Sequence, residues 1–170
     1  MNGVNMPVAR ASEPPEHLKP LGRNRLRIFS CLGGDVRQLP QYTVIGPDED
    51  VFDAFRAFVQ KLAGKWASAA LDPLTKSLLA TGRLLIGDLT GADDILDALP
   101  PVPFDRDHGM GQCLVAPAET LATVLPLPAA STRAAEWCAG SAEQMAAKAW
   151  LAANRARLEW REREGDYVLR

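Results

Sequence analysis

The spacing of apolar residues predicts an alternation of strands and helices along the chain. Leu26 and Ile28 alternate with Arg25 and Arg27, the period of a half-buried strand that the glycines at 33–34 would end. Apolar runs of strand length follow at 42–45, at 112–116 and from Arg83 to the Gly87-Asp88 pair. Four strands are therefore expected.

Helical spacing appears between these runs. The apolar residues from Val51 to Leu62 recur on one helix face, and Asp72-Pro73 is a typical helix start that would lead to a stop at Gly82. Further helices are predicted at 92–99, from Pro117 to about Leu125, and from the capping box at 141–144 to an end cap at Gly165. This order predicts an α/β or α+β fold, with a mixed sheet and flanking helices.

Composition bounds the organisation of the chain. With 170 residues, 47% of them hydrophobic, the default is one domain, which we place at 23–170 after a flexible, proline-rich tail at 1–22. Three widely spaced cysteines argue against a disulfide framework, and no secretory signal or membrane-length apolar run is present. The prediction is a cytoplasmic protein without membrane insertion.

The strongest candidate for chemistry is the glycine and acid turn after the run that begins at Arg83. Asp88 stands between Gly87 and Gly91, where sheet-based enzymes often present a metal ligand or a base. Asp93 and Asp94 follow in the first turn of a predicted helix, so a Mg²⁺ ion could join these carboxylates to nucleotide phosphates. The alternative is that the acids only cap the helix and favour its positive end.

A second acidic segment and an arginine cluster extend the list of candidates. Asp107 and His108 could supply a general base or a metal ligand, or they could be an ordinary surface loop. With a net charge of −2, DNA binding would need a local cluster such as Arg23, Arg25 and Arg27, whose alternative is a solvated arm.

The aromatic residues of the last predicted helix suggest a docking face. Trp150 and Trp160 lie among alternating arginines and glutamates and could stack on bases or dock a partner, while the charges alone describe a solvated helix face. P-loop, serine-hydrolase and zincin signatures do not occur in the sequence.

The segment at 84–99, LLIGDLTGADDILDAL, resembles the strand, turn and helix of the ParB/sulfiredoxin superfamily, whose members bind nucleotides at that turn. The sequence lacks the Gly-Cys-His-Arg motif of sulfiredoxins and the arginine-rich box of ParB proteins, and Gly91 stands near the place where an arginine is expected. Together with its size and basic lead-in, the chain is similar to the small Osa-type fertility-inhibition proteins of conjugative plasmids.

That resemblance implies an inhibitor of conjugative DNA transfer that acts through Mg²⁺-dependent ATP hydrolysis and DNA binding and cleavage. The nucleotide would lie near Asp88 and its neighbours Gly87, Thr90 and Gly91. Two alternatives stay open on the residues alone. One is a non-catalytic interaction module that blocks or regulates a partner, and the other is a metal-dependent phosphoesterase.

Overall fold

The computed structural model describes residues 25, 27–34, 49–101, 111–128 and 136–170, without the side chains of 49–52 and 111–115. Within them the fold is helix-rich α+β, compatible with a single domain. The helices are α1 (27–31, with Arg25 also helical), α2 (Glu49–Lys65), α3 (Pro73–Leu84), α4 (Thr90–Asp97), α5 (Gly111–Val124) and α6 (Ala142–Asn154). A 3-10 turn, Arg155–Arg157, leads into β1 (Leu158–Arg161) and β2 (Asp166–Leu169).

Helix starts that carry a capping residue are confirmed. The Asp72 carboxylate accepts a hydrogen bond from the Thr75 backbone N–H at 3.0 Å, and Pro73 occupies the first helical position, where no N–H is needed. Ser141 caps α6 in the same way through the Gln144 N–H at 3.1 Å. These local signals work because they satisfy backbone donors that the helix itself leaves open.

Three predicted strands are wrong, because the chain forms a helix, or a helix end and a turn, in each place. Residues 27–31 form α1, the run from Arg83 begins with the end of α3 and a turn, and 112–116 lie inside α5. A short buried apolar run fits a strand and a buried helix segment equally well, so period alone does not separate them. The predicted strand at 42–45 lies outside the described residues.

The final predicted helix is also shorter than expected. It ends at Asn154, and the chain then forms an antiparallel hairpin in which Trp160 pairs with Tyr167 and Arg161 with Asp166. Gly165, predicted as a helix end cap, lies instead in the hairpin turn with a φ of 75°. In the described part of the chain this two-stranded sheet replaces the expected mixed sheet.

The core lies between α3 and the helices around it. From Ser77 to Gly82 every residue of α3 is buried, so this helix is enclosed over nearly two turns. Phe29 of α1 packs on Phe58 of α2 with ring centroids 4.3 Å apart. The largest fully buried side chains are Trp137, Phe55, Ile28, Leu84, Leu85, Ile95, Leu96, Leu121, Leu151, Val59 and Val124.

The backbones of α3 and α4 approach each other most closely at Gly91. A Cβ atom at this position would lie 2.2 Å from the Ala80 carbonyl oxygen and 3.0 Å from the Leu84 nitrogen. Both obstacles are backbone atoms, which cannot rotate away as a flexible side chain would. The packing of two helices therefore requires glycine here, independently of any ligand.

Replacing Gly91 with alanine is expected to lower the free energy of unfolding by about 1–3 kcal/mol, because α4 must move away from α3. Gly64→Ala in α2 is the matched control, since a Cβ there meets nothing within 4 Å. The higher helix propensity of alanine should raise the free energy of unfolding of this variant by at most about 1 kcal/mol. Urea unfolding of both variants measures the two effects. An unchanged stability for Gly91→Ala would contradict the close approach.

Candidate functional site

The acidic turn, which we define as residues 87–94, reverses the chain between α3 and α4. The Asp88 N–H donates to the Arg83 carbonyl at 2.9 Å, and the Gly87 N–H donates to the Leu84 carbonyl at 3.2 Å. Gly87 has a φ of 94°, a conformation that other residues rarely adopt. These hydrogen bonds terminate α3, so Gly87 and Asp88 have a structural role as the C-terminal cap of this helix.

The backbone donors at the start of α4 are already used. Asp88 Oδ1 accepts hydrogen bonds from the Thr90 N–H at 3.1 Å and from its hydroxyl at 2.5 Å. The Gly91 N–H donates to the Asp88 carbonyl, and the Ala92 N–H to the Leu89 carbonyl. A phosphate at a helix terminus is held by such N–H groups, and three of them here have protein partners.

Arg83 occupies the position between the carboxylates of the acidic turn. Its Nε lies 3.3 Å from Asp88 Oδ2, and its Nη2 donates to Asp94 Oδ2 and to the Thr90 hydroxyl, each at 3.1 Å. A guanidinium with several donors can serve two acceptors at once. Arg83 thus neutralises the two carboxylates that were expected to bind a cation.

Asp93 points in another direction, towards α6. Its Oδ1 accepts from Arg155 Nη2 at 2.5 Å, and one turn further on Asp97 accepts from Lys148 Nζ at 2.7 Å. The two pairs border a shallow cleft of about 250 Å³, lined by Asp93, Leu96, Asp97, Lys148, Ala152 and Arg155. They link α4 to α6 and to the 3-10 turn that follows α6, across half-exposed surface, where each pair is worth less than about 1 kcal/mol.

The expected Mg²⁺ site does not fit this arrangement. Asp88 and Asp94 share Arg83, while Asp93 pairs with Arg155, so the three carboxylates do not converge on one empty point. Among the described residues, no group of three or more His, Cys, Asp or Glu side chains could hold a metal ion. Asp107 and His108 lie outside the described residues.

An aromatic pair from the hairpin covers the acidic turn. A Cβ at Gly87 would lie 2.9 Å from the Trp160 indole, whose Nε1 donates to Glu162 at 2.7 Å. Trp160 contacts Tyr167 with ring centroids 5.0 Å apart. Tyr167 is only 3% exposed, and its hydroxyl has no hydrogen-bond partner in the described structure. Burial, and then the charge of Asp88, raise the pKa of Tyr167.

The arginines predicted to meet DNA have other surroundings. Arg25 is 7% exposed, lies against Gly165 of the hairpin turn, and has its pKa lowered to about 10 by burial. Arg27 forms an ion pair with Glu119 of α5 at 3.5 Å. Arg23 lies outside the described residues. The described part of the cluster therefore packs α1 against its neighbours and does not form an open cationic surface.

The two tryptophans that were predicted to form a docking face pack partly against the core. Trp150 and Trp160 are both half-buried and packed against the core cluster. The exposed large apolar side chain of α6 is instead Met145, at 65%. Cys31 is disulfide-bonded, whereas Cys138 is a free thiol.

Comparison with family models, curated proteins and solved structures found no match. Over the described residues, no helix combines the length and the apolar character that crossing a membrane requires.

Sequence reasoning did not identify Arg83 or Met145. Arg83 precedes Asp88 by five residues and Asp94 by eleven, and only the reversal between α3 and α4 brings them together. Met145 could have been found, because Ala142, Ala146 and Ala149 surround it at helical spacing without a charge.

Replacing Tyr167 with phenylalanine is expected to raise the free energy of unfolding by about 1 kcal/mol at neutral pH, because a buried hydroxyl without a partner is removed. Since the folded state raises the pKa of Tyr167 above 10.0, wild-type stability should also fall as the pH rises through and above that value. The stability of the phenylalanine variant should fall less over the same pH range, because it lacks the hydroxyl that titrates. Urea unfolding at neutral and alkaline pH tests this, and a destabilised variant would show that the hydroxyl has a partner.

Proposed function

We propose that the protein is a non-catalytic interaction module that blocks or regulates a partner protein through the outer face of α6. The observation that carries this proposal is Met145, which is 65% exposed on a helix whose inner face is anchored. A flexible thioether side chain adapts to the shape of an apolar partner, and such side chains are common in docking surfaces. The proposal needs neither a metal ion nor a nucleotide.

The two faces of α6 differ in the way that a docking helix requires. Gln144, Ala147 and Leu151 are buried against the rest of the molecule. The outer face, which we define by its exposed uncharged residues, consists of Ala142, Met145, Ala146, Ala149, Ala152 and Ala153. Lys148 is exposed beside this face, but its charge is paired with Asp97. An apolar helix of a partner can therefore pack on this face without the desolvation of an unpaired charge.

The contacts of the acidic turn also support a non-catalytic role. Its carboxylates are held by Arg83 and Arg155, and the first N–H groups of α4 have protein partners. ATP hydrolysis, DNA cleavage and phosphoesterase activity would each require these groups to exchange partners. They remain the alternatives to the interaction module.

The resemblance to fertility-inhibition proteins of conjugative plasmids selects the partner to test first. On this proposal the partner is a component of the conjugative transfer machinery, and the protein acts in the cytoplasm by occupying it. Inhibition of transfer would then depend on the outer face of α6 and not on Asp88.

Met145→Glu is expected to restore plasmid transfer from donor cells that express the protein, because a buried glutamate would weaken the docked complex at least about tenfold. Gln60→Glu, which adds the same charge to an exposed position of α2, is the matched control and should still inhibit. Transfer frequency measures the effect, with the expression level and unfolding midpoint of each variant checked to be equal.

Asp88→Asn separates the alternatives in the same assay, because it keeps the size of the side chain and removes its charge. If the protein is an interaction module, the Asp88→Asn variant should still inhibit transfer, and neither the wild type nor the variant should release phosphate from ATP with Mg²⁺, with or without DNA. If the wild type both inhibits transfer and releases phosphate, and Asp88→Asn loses both, nucleotide hydrolysis is favoured instead. A wild-type protein that does not reduce transfer would exclude the transfer machinery as the partner.

A further inference from the structure

The strand β1 has one edge without a neighbouring strand. In the described part of the chain, β1 pairs with β2 and with no other strand. The Arg157 carbonyl accepts from the Arg170 N–H at 2.9 Å, so it faces β2. At the other end of the hairpin, the Arg161 carbonyl accepts from the Gly165 N–H at 2.7 Å and faces the same way. Because the main-chain groups of successive strand residues alternate in direction, those of Trp160 point away from β2.

The main-chain groups on this edge are available for pairing. Among the residues that the structure describes, none forms a hydrogen bond with the N–H or the carbonyl of Trp160. The Leu158 carbonyl points to the same side, whereas the Leu158 N–H donates to the Arg155 carbonyl and closes the preceding 3-10 turn. An edge of this kind is a template for a further strand, which would satisfy these groups.

The side chains of β1 divide between two faces of the sheet. Leu158 and Trp160 are half-buried and pack against the core. Glu159 and Arg161 lie on the opposite face, where 40% and 38% of their side chains are exposed. A strand added at this edge must therefore continue an apolar face on one side and meet one acid and one base on the other.

We propose that β1 pairs antiparallel with β1 of a second copy of this chain, so that two hairpins form one continuous four-stranded sheet. Trp160 lies opposite Trp160 of the second copy, and each donates its N–H to the carbonyl of the other. Glu159 then lies opposite Arg161 of the second copy, in a pair without main-chain hydrogen bonds, where side chains approach most closely. This inference does not depend on the function proposed above.

Charge selects this register over its neighbours. Since side chains alternate between the faces, the register can change only in steps that keep the apolar face aligned. A step in one direction would place Glu159 opposite Glu159 of the second copy, and a step in the other would do the same with Arg161. Like charges directly opposite each other destabilise a strand pair. The acid and the base of β1 are therefore complementary to themselves in a single antiparallel register.

The charged side chains can keep their present partners in the dimer. Arg161 donates from Nε and Nη2 to Asp166 at 2.8 and 2.6 Å, which leaves Nη1 for an incoming carboxylate. Glu159 accepts from Arg170, and a carboxylate has lone pairs for further donors. Across the joined sheet the charges would alternate in sign, from Asp166 through Arg161 to Glu159 and Arg170 of the second copy. No ion pair has to break when the two copies associate.

The association itself is tested by sedimentation equilibrium of the full chain from about 1 μM to about 1 mM. Because only the four residues of β1 pair on each side, the contact is small and should dissociate on dilution. The mass should rise from 18.4 kDa towards twice that value as the concentration increases. A monomer over the whole range would overturn the proposal.

Hydrogen exchange identifies the surface that the dimer uses. The Trp160 amide should exchange at least about threefold more slowly at a concentration where the dimer predominates than in dilute solution. The Glu159 amide faces β2 in either state and should change little. A dimer in which the Trp160 amide exchanges at the monomer rate would use another surface and would overturn the proposal. This comparison uses the wild-type protein and needs no variant to fold.

Glu159→Lys tests the register, because it places a lysine opposite Arg161 at both ends of the strand pair. The dissociation constant of the dimer should rise at least about tenfold. Glu164→Lys is the matched control, since it makes the same change of charge in the hairpin turn, outside the paired residues, and should associate as the wild type does. Thermal unfolding shows whether both variants are folded. A folded Glu159→Lys variant that dimerises as tightly as the wild type would overturn the register.

Discussion

The close approach of α4 to α3 at Gly91 is the constraint on which the rest of the structure depends. A side chain at that point would meet the Ala80 carbonyl, so the two helices can share a core only because glycine stands there. With α4 seated, Ile95 and Leu96 close over α3 and are fully enclosed. Gln144 then extends the same contact to α6, because its side-chain amide donates to the Leu96 carbonyl at 2.7 Å. Both α4 and α6 therefore take their positions from α3.

The same constraint gives the acidic turn a structural explanation. Because α3 and α4 lie so close, the connection between them must reverse within a few residues, and Gly87 supplies the positive φ that the reversal needs. The reversal brings Asp88 and Asp94 to the side of α3, where Arg83 lies between them. A carboxylate that is already paired and capped costs free energy to redirect towards a metal ion. The features that resemble a nucleotide site are thus the ones that a tight helical corner requires.

Much of the helical structure could be predicted from sequence, and most of the sheet could not. Asp72 and Ser141 reveal helix starts because a cap acts on neighbouring backbone groups, and that chemistry is local. The strand expected from Arg83 failed because its apolar residues close the end of α3 and form the turn after it, and a short buried apolar run does not distinguish a strand from such a helix end. The hairpin at 158–169 was hidden by charged residues whose spacing also suits a helix surface, and its cross-strand pair of Arg161 and Asp166 is visible only after folding. For the site, the acids of the turn were identified, but their partner Arg83 depends on the corner and leaves no pattern in the sequence.

The packing of α6 on α4 determines which face of α6 is buried and which is exposed. Its inner face is fixed by Gln144, which donates to the Leu96 carbonyl of α4 and accepts from the Gly140 N–H before the helix, so a buried amide satisfies both of its polar atoms. Lys148 and Arg155 pair with the acids of α4 along one side. These contacts fix the rotation of α6 about its axis, since turning the helix would bury a lysine and leave Gln144 without partners. The rotation in turn determines that Met145 faces outward. Because the surface is already ordered before a partner arrives, docking on it would not have to offset the entropy of forming the helix.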